Sequence, residues 1–124
     1  MTLILVVDDD NQIRGMLRRL LEKEGYEVVE AIDGTEAMRL YQERPVDLVI
    51  TDLIMPNKEG IETIIELRRI FPEVKIIAIS GGGRVGPATY LSMAEKLGAS
   101  RIFTKPFEND ELLTAVKELV PAHS

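Results

Sequence analysis

The chain contains no cysteine, no tryptophan and a single histidine, and aromatic residues make up 5% of its 124 positions. Without cysteine it can form no disulfide, offer no thiol nucleophile and ligate no zinc through thiolates. The one histidine, His123, lies one residue from the C-terminus with no motif around it. Long apolar runs are also missing. The N-terminal run Leu3–Val7 is stopped by Asp8, Asp9 and Asp10, has no basic leader and falls far short of a membrane span of about 20 residues. No membrane insertion and a soluble, cytoplasmic location are therefore expected. Positive charge is in deficit too: 15 Lys and Arg stand against 21 Asp and Glu, a net charge of -6. That is the wrong sign for a protein that holds nucleic acid by neutralising phosphates, so no direct nucleic-acid partner is expected. What remains for chemistry is carboxylates, hydroxyls, lysine and arginine.

What is present is a regular alternation. A chain of 124 residues matches one domain of roughly 100–150 residues, and 45% hydrophobic content can supply its core. Short apolar runs at Leu3–Val7, Glu27–Ala31, Leu48–Thr51, Lys75–Ile79 and Ser100–Phe103 read as strands, separated by segments of helical period. Ile13, Met16, Leu17, Leu20 and Leu21 form the stripe of a first helix ending at Gly25, with Arg14, Arg18, Arg19 and Lys23 assigned to its charged face. A second helix carries Ala37, Leu40 and Tyr41 and stops before Pro45; a third carries Ile61, Ile64 and Ile65 and stops before Pro72. A fourth begins near Pro87 and carries Leu91, Ala94 and Leu97, and the last uses Leu112, Leu113, Val116, Leu119 and Val120. The pattern predicts an α/β fold, (βα)5, doubly wound around a parallel five-stranded sheet. In such sheets the functional groups gather at the carboxyl ends of the strands.

Those ends carry Asp8, Asp9 and Asp10 after the first strand, Asp52 after the third, Ser80 after the fourth, and Thr104 and Lys105 after the fifth. Each has a plain structural explanation by itself: Asp10 can cap a helix, Ser80 can begin a turn, Lys105 can be a solvated charge. Together they are harder to explain that way, because carboxylates crowded at one edge repel one another unless a cation sits among them. A hard divalent ion satisfies that need, and Mg²⁺ held by one or two carboxylates and water fits better than a full Ca²⁺ cage. A carboxylate beside such an ion can accept a phosphoryl group while Lys and Ser side chains meet the phosphoryl oxygens. Asp52, Lys105 and Ser80 supply those roles.

The segments VVDDD at Val6–Asp10, TDLIMPNKEG at Thr51–Gly60, IAISG at Ile77–Gly81, LGAS at Leu97–Ser100 and TKPF at Thr104–Phe107 resemble, in order and spacing, the receiver domains of two-component response regulators. The resemblance covers essentially the whole chain and implies a flavodoxin-like sheet of order 2-1-3-4-5, a single receiver over residues 1–124, and no output domain. It implies that Asp52 is the phosphoacceptor, that Asp9 binds Mg²⁺ directly with Asp8 acting partly through water, and that the Ile54 backbone carbonyl is a further ligand. Lys105 and Ser80 match the family's phosphoryl-binding and switch positions, and Lys105–Pro106 the peptide bond that is often cis. A histidine kinase or phosphotransfer protein is the implied donor, with Arg14, Arg18 and Arg19 of the first helix facing it. The implied output is through a downstream protein, by the surface of the fourth helix, fifth strand and last helix, from a monomer or a weak phosphorylation-dependent dimer. Such a domain is a switch rather than an enzyme.

Three departures from the family pattern stand out. Ile54 occupies a place where many relatives carry a polar residue that orients the attacking water, so a comparatively long-lived phosphoryl state is expected. Ile102 replaces the usual aromatic residue three before the lysine, and adjacent Phe103 is expected in the core on the other face. The segment Gly81–Pro87 is glycine-rich; Gly81, Gly83 and Gly86 match G-x-G-x-x-G, but Arg101 stands about twenty residues on where a dinucleotide site has an acid. Pro87 and Ala88 likewise break a P-loop, so conformational freedom rather than nucleotide binding is expected there. Two other functions compete. Asp8-x-Asp10 resembles the start of haloacid-dehalogenase-type phosphatases with Asp8 as nucleophile, although Gln12 departs from that pattern. A non-switching scaffold receiver is the other, and it has no need of three acids at one edge.

Overall fold

The structure, a computed structural model, describes residues 2–53, 60–80, 92, 95–96 and 98–121. Five strands, β1 (Leu3–Val7), β2 (Glu27–Ala31), β3 (Leu48–Asp52), β4 (Ile76–Ser80) and β5 (Arg101–Thr104), form one parallel sheet in the order β2-β1-β3-β4-β5. The described helices are α1 (Asn11–Lys23), α2 (Gly34–Glu43), α3 (Gly60–Ile70) and α4 (Asn109–Leu119). The expected fourth helix of the sequence lies mostly outside the described residues, although Ser92, Glu95 and Lys96 are helical. Among the described residues, no helix is long and apolar enough to cross a membrane.

The central strands β1, β3 and β4 are buried at every position, as parallel strands covered on both faces must be, whereas the edge strands β2 and β5 are only partly buried. Alternate residues feed two cores. Leu3, Leu5, Val7, Val49, Ile76 and Ala78 pack toward α2 and α3. Ile4, Val6, Ile50, Ile77 and Ile79 pack toward α1 and α4, against Leu17, Leu21, Leu112 and Val116. Right-handed crossovers from a central strand to both edges account for this division of the helices.

β3 runs one residue further than its apolar run suggests, and β4 and β5 sit one residue later than theirs. The ladder pairs Asp52 with Ile79 and Ser80 with Thr104, because backbone pairing continues into polar residues that the hydrophobic pattern excludes. In α3 the buried stripe is Ile61, Ile64 and Leu67, while Ile65 is exposed. Asp10 caps α1, its carboxylate accepting the Gln12 and Ile13 amides, and Asp33 caps α2 through the Glu36 amide. Gly25, at φ 93°, ends α1 in the left-handed region. The buried Tyr26 that follows donates its hydroxyl to the Val120 carbonyl at 2.8 Å, tying the α1–β2 turn to the end of α4.

Candidate functional site

β1 and β3 are neighbours in the sheet but their connections leave in opposite directions, so a crevice opens at their carboxyl ends. Asp8 is the first residue past β1 and Asp52 the last of β3; both are buried, whereas Asp9 is exposed. One carboxylate oxygen from each of Asp8, Asp9 and Asp52 falls within 4.8 Å of the others. Lys105, one residue past β5, reaches across to this group, its Nζ lying 3.1 Å from Asp8 Oδ2 and 3.2 Å from Asp52 Oδ2. The backbone before that side chain is anchored by the Lys105 amide, which donates to the Ser80 carbonyl at 2.9 Å, and the Lys105–Pro106 peptide bond is cis.

Electrostatics follow from the crowding. Burial pushes the Asp8 carboxyl above its usual value; the Asp52 charge adds to this, and the Asp10 amide and Lys105 oppose it without cancelling it. Burial works against the Lys105 ammonium, but the charges of Asp52 and Asp8 and their hydrogen bonds outweigh it and raise its pKa. Among the described residues, one lysine ammonium thus faces three clustered carboxyl groups. Ser80, fully buried at the end of β4, has a hydroxyl with no hydrogen-bond partner among the described residues. A cluster of hard oxygen donors with a nearby enclosed hydroxyl fits a divalent cation of the Mg²⁺ type, and it fits an oxyanion beside it.

The structure thus brings Asp8, Asp9, Asp52 and Lys105 together at one edge, with Ser80 at the end of the strand between β3 and β5. Asp10 points into the α1 cap. Ile54, the glycine-rich segment Gly81–Pro87 and His123 lie outside the described residues. Ile102 packs at the margin of the α2/α3 core, and Phe103 faces the opposite core, its ring meeting that of Phe107 edge-on with centroids 6.4 Å apart.

Arg14 departs from its expected place on a solvated charged face. It is 8% exposed, and its guanidinium donates to the Asp8 carbonyl at 2.6 Å, to Glu30 at 3.1 Å and to Asn11. Its position three before Leu17 and seven before Leu21 puts it on the buried stripe, which is the signal that spacing offered. Glu30 shares a strand face with Val28 toward α1, and Arg18 also reaches it, at 2.6 Å. Beside Lys105, an apolar groove of about 370 Å³ is lined by Ile13, Met16, Lys105, Pro106, Phe107 and Asn109.

Comparison with known proteins gives the arrangement a family. The model of the response regulator receiver domain matches residues 4–117. The chemotaxis protein CheY of Thermotoga maritima is 37% identical over 117 residues, covering 94% of this chain and 95% of the relative. Sporulation initiation phosphotransferase F of Bacillus subtilis is 33% identical over 121 residues, covering 98% and 95%. Among solved structures, the response regulator protein TrrA of Thermotoga maritima in complex with Mg(2+)-BeF superimposes with a TM-score of 0.85 at 35% identity, over 97% of this chain and 100% of that one. With a five-stranded sheet of order 2-1-3-4-5, an acidic group at its carboxyl edge and a family match that runs nearly end to end, the chain belongs to the response regulator receiver domain family.

Proposed function

We propose that this receiver domain is a phosphoryl-accepting switch in which Asp52 is the acceptor, Asp8, Asp9, Asp52 and the Ile54 carbonyl hold Mg²⁺, and Ser80 and Lys105 bind the phosphoryl oxygens. The observation that carries this reading is the Lys105 ammonium within 3.2 Å of both Asp8 and Asp52 at the carboxyl edge of the sheet. The Mg(2+)-BeF bound to the similar TrrA structure supports both the cation and a phosphoryl-like group at this kind of site. Mg²⁺, when bound, offsets the negative charge of the carboxylates and of the incoming phosphoryl group.

An Asp52 oxygen attacks phosphorus, and the new O–P bond forms as the P–N bond to the donor imidazole breaks. The imidazole leaves with the bonding electron pair and takes up a proton. Lys105 turns from its carboxylate partners to a phosphoryl oxygen, and the enclosed Ser80 hydroxyl donates to another. The donor is a histidine kinase or phosphotransfer protein, and the one histidine of this sequence, His123, has no motif around it. The names of the sporulation phosphotransferase and the chemotaxis relative support a partner-to-partner relay. The groove of Ile13, Met16, Pro106 and Phe107 opens beside Lys105 and offers the donor an apolar seat. The domain works in the cytoplasm as a switch rather than an enzyme, and a downstream protein reads its phosphorylated population.

Treating the protein with acetyl phosphate and Mg²⁺ and measuring intact mass tests the assignment. One added phosphoryl group in the wild type, lost in Asp52→Asn, is the expected result. Labelling that survives in Asp52→Asn and vanishes in Asp8→Asn moves the acceptor to Asp8, and an unlabelled wild type leaves a scaffold.

A further inference from the structure

The acidic turn that follows β1 needs its backbone held, because two of its carboxylates must converge with Asp52 against mutual repulsion. Besides Lys105 at its carboxylate, three contacts fix Asp8. Its amide donates to the Ala31 carbonyl at 3.2 Å, its Oδ1 accepts the Asp10 amide at 2.9 Å, and its carbonyl accepts Arg14 at 2.6 Å. Of these three only the last comes from a side chain, and it touches the carbonyl, whereas Lys105 touches the carboxylate. Arg14 is itself held on two further sides, by Glu30 on β2 and by Asn11 at the start of α1. Glu30 is shared with Arg18, one oxygen to each. The planar fork of a guanidinium suits this triple demand, joining an edge strand, a helix start and the turn in one rigid unit.

We propose that Arg14, braced by Glu30 and Asn11, is a positioning residue that preorganises the Asp8–Asp9 turn for its divalent cation without touching that cation. This rests on the reading of Asp8, Asp9 and Asp52 as a Mg²⁺ site. Fixing the Asp8 carbonyl fixes the direction in which Asp8 leaves β1 and thereby the approach of its carboxylate to Asp52. Without the clamp, repulsion spreads the acids in the metal-free protein, and binding must re-gather them. Groups that orient metal ligands in this indirect way commonly change affinity by about 10–100-fold. The same residue was expected to face the phosphodonor; enclosed among three acceptors, Arg14 serves the turn instead.

Titration with Mg²⁺ alone by isothermal calorimetry tests this, using wild type, Arg14→Met, Arg14→Lys, the surface control Arg39→Met and the ligand variant Asp9→Asn. Arg14→Met keeps the apolar stem without donors, and Arg14→Lys keeps the charge without the fork. Either Arg14 variant, if folded by circular dichroism, should bind Mg²⁺ at least about tenfold more weakly than wild type. Amide exchange at Asp10 in the metal-free protein should accelerate in parallel, and Arg39→Met should match wild type in both measurements. Wild-type affinity in a folded Arg14 variant overturns the proposal while leaving the metal site standing. A wild type that binds no Mg²⁺, or an Asp9→Asn that binds as well as wild type, overturns the underlying site reading itself. Should Arg14→Met fail to fold, Arg14→Lys decides by the same measurements.

Discussion

Ser80 carries a hydroxyl that is fully enclosed and, among the described residues, unpartnered. A buried polar group without a hydrogen bond costs about 1–3 kcal/mol, so its persistence in the fold is a cost to stability rather than a support. Ser80→Ala is therefore expected to leave stability unchanged or raise it by about 1 kcal/mol in urea unfolding. A clear loss of stability would show that the hydroxyl is bonded after all. Gly98 presents the opposite case, a backbone constraint. Its φ of +101° is one that side chains rarely adopt, and an added Cβ would stand 2.8 Å from Arg68 Nε. Gly98→Ala should cost about 1–3 kcal/mol, read as a lower urea midpoint at unchanged slope. The sequence shows a glycine before the last strand in a family-like LGAS segment; the close approach of Arg68 from α3 is a tertiary fact.

Between elements, the Arg14–Glu30–Arg18 group joins α1 to β2. Burial tends to raise the Glu30 carboxyl, but the hydrogen bonds and charges of Arg18 and Arg14 prevail and hold its pKa below the usual value. A carboxyl whose pKa is lowered by folding adds stability above its unfolded pKa and loses it as the pH falls through the lowered one. Wild type should accordingly exceed Glu30→Gln in stability at pH 7, by about 1 kcal/mol, with the gap closing below about pH 4.5. Denaturant midpoints of the two proteins across pH 3–7 measure it. A constant gap down to pH 3 would contradict the ionic origin. This network was half legible: Arg14 sits on the buried stripe at helical spacing, yet a strongly solvated residue type argues for the surface. Only the placement of Glu30 on the facing strand and of the Asp8 carbonyl beneath it makes burial of the guanidinium tolerable.

For the whole molecule, two cores divide the sheet's faces, and the chemistry stands at the one edge where β3, β4 and β5 end in polar residues and Asp8 follows β1. The larger cavity, about 480 Å³ and lined by residues such as Tyr41, Val46, Phe71 and Val74, contains none of these groups. A ligand that binds only the folded state stabilises it by mass action, about 2.7 kcal/mol at a concentration one hundred times Kd. Saturating Mg²⁺ should thus raise Tm by roughly 10 °C for a domain of this size. Asp9→Asn should shrink that rise, and a wild-type Tm indifferent to Mg²⁺ would argue against the cation site.

Order of elements, sheet class and the identity of the polar residues at the strand ends are properties of the sequence, because burial on both faces demands continuous Val and Ile runs and exposure at one end permits Asp, Ser and Lys. The one-residue extension of β3 and the shifts of β4 and β5 were not legible, since ladder bonds form between backbones regardless of side-chain polarity. Nor was the enclosure of Arg14 and Ser80, because burial of a polar group depends on what the chain brings over it from elsewhere. Spacing along the chain determined which groups stand at the strand ends. The crossing of five strands in the order 2-1-3-4-5 decided that Lys105, 53 residues beyond Asp52, would bring its charge between Asp52 and Asp8, a contact set by the sheet rather than by local sequence.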